Sequence, residues 1–133
     1  MEQELSMVEA AVTKMKMVYD YEYKTEPILS FKPNVGFGYD SKHGTYVNEI
    51  RVQMRDKSKR KCFSIDMMIM GIFVSTEPLE DPEDIKDAKA FMLAEMYGWM
   101  QDYIEGFTKM SGMPEIELPD LTFEAENFDG KLE

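Results

Sequence analysis

The sequence predicts an α+β fold: a four-stranded antiparallel sheet with one long or broken helix packed on one face. Three observations carry that reading. Four segments between residues 13 and 74 alternate apolar and polar side chains with the period of two that half-buried strands need. Short turn-rich stretches join them, which favours an antiparallel meander over parallel crossovers. Beyond them lies one long apolar segment with helix start and stop signals at its ends.

In the first strand Met15, Met17, Tyr19, Tyr21 and Tyr23 oppose Lys14, Lys16, Asp20, Glu22 and Lys24. Residues 1–12 read as an N-terminal arm or as an extension of this strand. Breaks at Thr25-Glu26-Pro27 and Lys32-Pro33 precede a second strand, with Val35, Phe37 and Tyr39 on one face and Gly36 and Gly38 on the other. Asp40-Ser41-Lys42-His43-Gly44 is turn chemistry. The third strand sets Tyr46, Ile50, Val52 and Met54 against Val47, Glu49, Arg51 and Gln53. After a basic turn at Lys57, Lys59, Arg60 and Lys61, the fourth strand runs from Cys62 to Val74. It ends almost wholly apolar, as strands covered on both faces do. The sheet is therefore placed at 13–74.

Residues 75–87 read as an acidic connector and 88–111 as the helix. Asp81 carries N-cap chemistry with Pro82 at the first helical position, Gly112 C-cap chemistry, and Pro114 forbids continuation. Gly98 and Gly106 inside the helix predict close packing or a break near Gly98, since each weakens it by ~1 kcal/mol relative to Ala. Met92, Met96, Trp99, Tyr103, Phe107 and Met110 fall at three- and four-residue steps on one stripe, while Phe91, Tyr97, Met100 and Ile104 lie elsewhere. One stripe covers the sheet, and the rest of the apolar surface predicts a second partner, most simply another subunit. Residues 112–133 form an acidic C-terminal segment anchored by Leu121, Phe123 and Phe128.

The chain of 133 residues fits one domain. Its charge is uneven: residues 1–66 carry 11 Lys/Arg against 10 Asp/Glu, and residues 67–133 carry 4 against 16. That field repels phosphate backbones and argues against nucleic acid as the partner. A single cysteine, Cys62, permits no internal disulfide, and the acidic N-terminus lacks signal-peptide character. No apolar run approaches the ~20 residues needed to cross a bilayer. These points predict a cytoplasmic protein without membrane insertion. His43 is the only histidine and reads as a solvated turn residue; Cys62 has no neighbouring base. Metal-ligand pairs and phosphate-binding glycine loops are missing, so the expectation is no enzyme, no cofactor and no metal. Thirteen methionines suit irregular core filling and also promiscuous apolar binding.

The strand ending Gly71-Ile72-Phe73, the helix after it, and then Phe107 through Met113-Pro114-Glu115-Ile116-Glu117-Leu118-Pro119 with Phe123 and Phe128, make the chain resemble the SecB family of protein-export chaperones. The resemblance spans about residues 13–128. It implies subunits assembled as a dimer of dimers, and ATP-independent holding of non-native polypeptides in long apolar grooves. It also implies delivery of those polypeptides to the SecA translocase motor. Carried over by position, client binding falls to Val35, Phe37, Tyr39, Phe91, Tyr97, Trp99, Met100 and Ile104, and motor docking to Asp20 and Asp66. Two other roles fit the same layout: a dedicated chaperone or adaptor of one partner, such as an antitoxin, and a structural or assembly protein.

Overall fold

A computed structural model describes residues 4–19, 29–40, 42–56, 63–112, 118 and 120–131. Four strands, β1 (Leu5–Tyr19), β2 (Leu29–Asp40), β3 (Thr45–Asp56) and β4 (Phe63–Ser75), form one antiparallel sheet in the order β1-β4-β3-β2. One helix, α1 (Pro82–Met110), packs on a single face of it. The α+β reading holds.

The first two strands depart from their sequence limits for physical reasons. β1 begins at Leu5, so most of the expected arm is strand. Its register against β4 shifts between Met7 and Glu9 and again between Val12 and Lys14. Each bulge flips which parity faces the core. Paired residues on the helix side are Leu5 and Met7, then Ala10 and Val12, then Met15 and Met17. β2 runs through Pro33 instead of starting after it. This is an edge strand, where a missing N–H breaks no ladder bond on the open side. β3 buries Tyr46, Asn48, Ile50, Val52 and Met54 in strict alternation, and β4 buries Ile65, Met67, Ile69, Gly71 and Phe73.

The helix starts at Pro82, where its cap chemistry puts it and six residues ahead of the 88–111 bounds: Glu83 N–H donates to Asp81 Oδ1 at 2.9 Å. The link from β4 is held by Leu79, buried, whose N–H donates to the Tyr46 hydroxyl at 3.1 Å. Gly112 closes the other end with φ +70. The helix passes through Gly98 and Gly106 without a break, and no atom lies within 4 Å of a Cβ placed on either.

The buried face of α1 differs from the expected stripe. Ala88, Met92, Met96, Met100, Ile104 and Thr108 form one buried row of four-residue steps, with Ile85, Lys89, Leu93 and Tyr97 beside it. Such a row drifts ~40° per step around a helix of 3.6 residues per turn, so the line of contact slants along α1. Met92 and Met96 belong to it as expected. Trp99, Tyr103 and Phe107 are only half-buried, and Met110 is 90% exposed. The second cover over α1 is, in part, the chain's own C-terminal segment, described next.

Candidate functional site

Two surfaces on α1 carry apolar side chains that the sheet does not cover. The first is an aromatic ladder. Trp99, Tyr103 and Phe107 recur every four residues, so their rings lie one above another along the helix. Ring centroids are 5.5 Å apart for Trp99–Tyr103 and 6.3 Å for Tyr103–Phe107, with interplanar angles of 21° and 12°. Beyond the ladder, Met110 stands in solvent.

The second surface is the seam between α1 and β2, and Leu118 and residues 120–131 lie along it. Gln101 Nε2 donates to the Leu118 carbonyl and to Asp120 Oδ1. Phe123 meets the Tyr97 ring edge-on at 5.7 Å, and Phe128 meets Phe37 edge-on at 5.6 Å. Between these two anchors a 3-10 turn, Ala125–Asn127, takes up slack. Asp129 Oδ1 accepts from Lys89 Nζ at 2.6 Å. Gly130 then abuts Pro82, where a Cβ would stand 2.6 Å from the proline Cβ. The segment thus runs antiparallel to α1, from Gln101 back to the helix start.

Lys89 is the feature that the sequence did not disclose. Its side chain is 7% exposed, and its ammonium lies 5.3 Å from the Phe37 ring centroid. A buried cation requires a counter-charge, and Asp129 supplies it. The Lys89 hydrogen bond in turn holds the Asp129 carboxyl below the usual carboxylate range.

The structure separates the residues nominated for client binding. Val35, Phe37 and Tyr39 share the helix-side face of β2. Val35 is exposed there, Phe37 lies under Phe128, and Tyr39 packs on Tyr46 at 4.9 Å. Tyr97 is buried beneath Phe123, and burial pushes its phenol up to about 12. Met100 and Ile104 are core residues with 0% and 1% exposure, so neither reaches a client while α1 stays on the sheet. Trp99 belongs to the ladder. Phe91 is 40% exposed and, at ~200° around the helix from Lys89, points away from the seam.

Of the docking pair, Asp20 lies outside the described residues, as do Cys62 and the basic run at 57–61. Asp66 sits on the sheet face away from α1. It is neutralised: Arg51 donates to both carboxylate oxygens at 2.9 and 2.7 Å, and Lys14 Nζ lies 3.1 Å away. The Arg51 hydrogen bonds hold its carboxyl far below the ordinary range, with Lys14 adding to the effect. His43 pairs with Asp40 in an exposed turn at 2.7 Å. Among the described residues no group of three or more His, Cys, Asp or Glu is placed to hold a metal, and no helix is long and apolar enough to cross a membrane.

No protein-family model matches the chain, and no curated protein matches it. Among solved structures it is similar to the Mycobacterium tuberculosis SecB-like chaperone Rv1957, solved in complex with a ChAD peptide from the HigA1 antitoxin. The TM-score is 0.68 at 12% identity, covering 89% of this chain and 90% of that one. At that identity the likeness establishes the fold. A protein of unknown function from Streptococcus agalactiae aligns at a TM-score of 0.46 and 14% identity, over 90% of this chain and 100% of that one.

Proposed function

We propose that this protein is an ATP-independent chaperone that holds polypeptides on the uncovered apolar surface of α1, working as a homo-oligomer. The observation that carries the reading is the Trp99–Tyr103–Phe107 ladder. Three aligned rings, half-buried, with Trp99 and Tyr103 packed on the core, are followed by exposed Met110 and give a long, partly open apolar strip. Aromatic and methionine side chains bind by area and adapt to many sequences. Holding a chain this way requires no nucleotide, metal or nucleophile. The SecB-like fold supports the same reading, and the peptide-bound state of the mycobacterial relative shows a polypeptide as one ligand that such a fold takes.

A dedicated adaptor of one partner is the second reading, favoured over delivery to the SecA motor by one detail. Asp66, the nominated acidic docking group within the described residues, is already tied to Arg51 and Lys14. An outer face neutralised in this way offers little to a motor that reads negative charge.

The test combines light scattering with an aggregation assay on a reduced, unfolded client without ATP. Trp99, the single tryptophan of the chain, reports contact directly. A tetramer-sized particle that suppresses aggregation, with Trp99 emission moving to shorter wavelength on client addition, is the expected result. An unprotected client and unchanged emission overturn general holding and leave the dedicated adaptor.

A further inference from the structure

Resting on the polypeptide-holding reading, we propose that the α1–β2 seam is a recognition site for acidic polypeptide segments carrying two aromatic side chains five residues apart and a carboxylate directly after the second, and that Leu118 and residues 120–131 occupy it as an internal competitor.

The chemistry of the seam sets the ligand. Tyr97 and Phe37 offer two aromatic rings, which Phe123 and Phe128 meet in T-shaped contacts at 5.7 and 5.6 Å. Lys89 lies next to the second ring, its ammonium buried against Phe37 and hydrogen-bonded to Asp129. Anything that displaces the tail must fill both aromatic positions and bring an anion to Lys89. Otherwise a buried ammonium is left unpaired, the costliest outcome for such a group. A neutral apolar segment satisfies the rings and fails the lysine. The tail is thus a template for the ligand, and its acidic character matches the Lys89 cation.

The tail is also held lightly enough to be displaced. Among its described residues only Leu118 is buried; Asp120, Leu121, Thr122, Glu124, Glu126, Asn127 and Asp129 are exposed. It crosses roughly 28 Å of helix, from Gln101 to Pro82 at 1.5 Å per residue, and its described anchors are Leu118, Phe123, Phe128 and Asp129. Asp129 itself is 67% exposed, so solvent and salt reach the ion pair that pins the far end.

The experiment is fluorescence anisotropy with a labelled peptide of residues 118–131, titrated with the full chain as wild type, Asp129→Asn and Lys89→Gln. Loosening the resident tail in Asp129→Asn is expected to tighten peptide binding about tenfold over wild type. A peptide carrying Asn in place of Asp129 is expected to bind that chain about tenfold more weakly, the scale of one charge-assisted hydrogen bond. Lys89→Gln is expected to erase the preference between the two peptides. Circular dichroism checks each fold; if Lys89→Gln does not fold, the two peptides on Asp129→Asn decide alone. Equal binding of the peptide to wild type and Asp129→Asn, equal binding of the two peptides, or no binding at all overturns the proposal. The aggregation assay run in parallel separates the two ideas. Protection without peptide binding leaves holding in place and removes the seam site. Peptide binding without protection keeps the seam site and removes general holding.

Discussion

Gly71 is where the sheet leaves room for the helix, and filling that room tests the helix–sheet packing directly. A Cβ on Gly71 would stand 2.9 Å from Met96 Cγ, 3.0 Å from Met96 Sδ and 3.2 Å from Phe73 Cε1. Met96 and Phe73 are both 0% exposed, so neither has solvent to retreat into. Alanine at this position restricts the unfolded chain, a gain of ~0.4–1 kcal/mol. Overpacking a closed core costs ~1–3 kcal/mol. The difference predicts that Gly71→Ala loses about 1–2 kcal/mol. Met96→Ala alone loses about 2–5 kcal/mol through the space it leaves. In the double variant the new methyl enters that space, so the combined loss falls at least ~1 kcal/mol short of the sum. The assay is urea unfolding by far-UV circular dichroism at one fixed protein concentration, with slopes compared to confirm that the end states are unchanged. Additivity within ~0.5 kcal/mol, or a Gly71→Ala chain as stable as wild type, refutes the packing argument.

Four further outcomes are expected. Asp66→Asn destabilises by ~1 kcal/mol or less at neutral pH, because Arg51 and Lys14 are partly solvated, at 36% and 45% exposure. Since Asp66 is held below its unfolded value of ~3.9, its contribution exists above that value and fades as pH falls; a gap to wild type that persists undiminished in acid contradicts this. Tyr97 has a raised phenol, so its neutral form belongs to the fold, and stability is intact below ~10 and lost as pH rises toward about 12. In a phenolate absorbance titration, Tyr97→Phe is expected to delete part of the late step; deletion from the step near 10 rejects the burial argument. Asp81→Ala removes the N-cap acceptor and lowers stability by ~1 kcal/mol, with Asp81→Ser recovering most of it in thermal unfolding. Gly98→Ala raises stability by ~0.5–1 kcal/mol because nothing lies within 4 Å of the new methyl; a loss shows that this side of the helix is not open.

Local chemistry was the most legible part of the sequence. Asp81, Pro82 and Gly112 announce the helix ends because capping is decided by neighbours a few residues away. β3 is readable because its alternation is unbroken, although Asn48 hides in it: buried at 1%, donating to Met92 Sδ at 3.2 Å, with no partner for Oδ1 among the described residues. β1 was only half readable, since bulges at Val8 and Thr13 shift the apolar positions twice. The helix face was misassigned because apolar spacing alone fits two adjacent stripes, and only the slant of α1 across the sheet selects the row through Met100 and Ile104. The seam was readable only in its tail anchors, Phe123 and Phe128, and not in what they pack on. It depends on Lys89 meeting Asp129 and Phe37 meeting Phe128, pairs far apart in the chain with no local pattern to betray them.

The strand order also sets a clock on synthesis. β2, β3 and β4 each pair with the strand next to them in the chain, but among the described residues β1 pairs with β4, Leu5 opposite Ser75 and Tyr19 opposite Phe63. Within this sheet, the strand made first therefore waits for the strand made last. At ~5–20 residues per second, making residues 20–75 takes roughly 3–11 s. Throughout that interval Met7, Val12, Met15 and Met17 have no sheet to join, and both edges of β1 are unpaired. Each newborn copy spends those seconds with the apolar face of β1 uncovered.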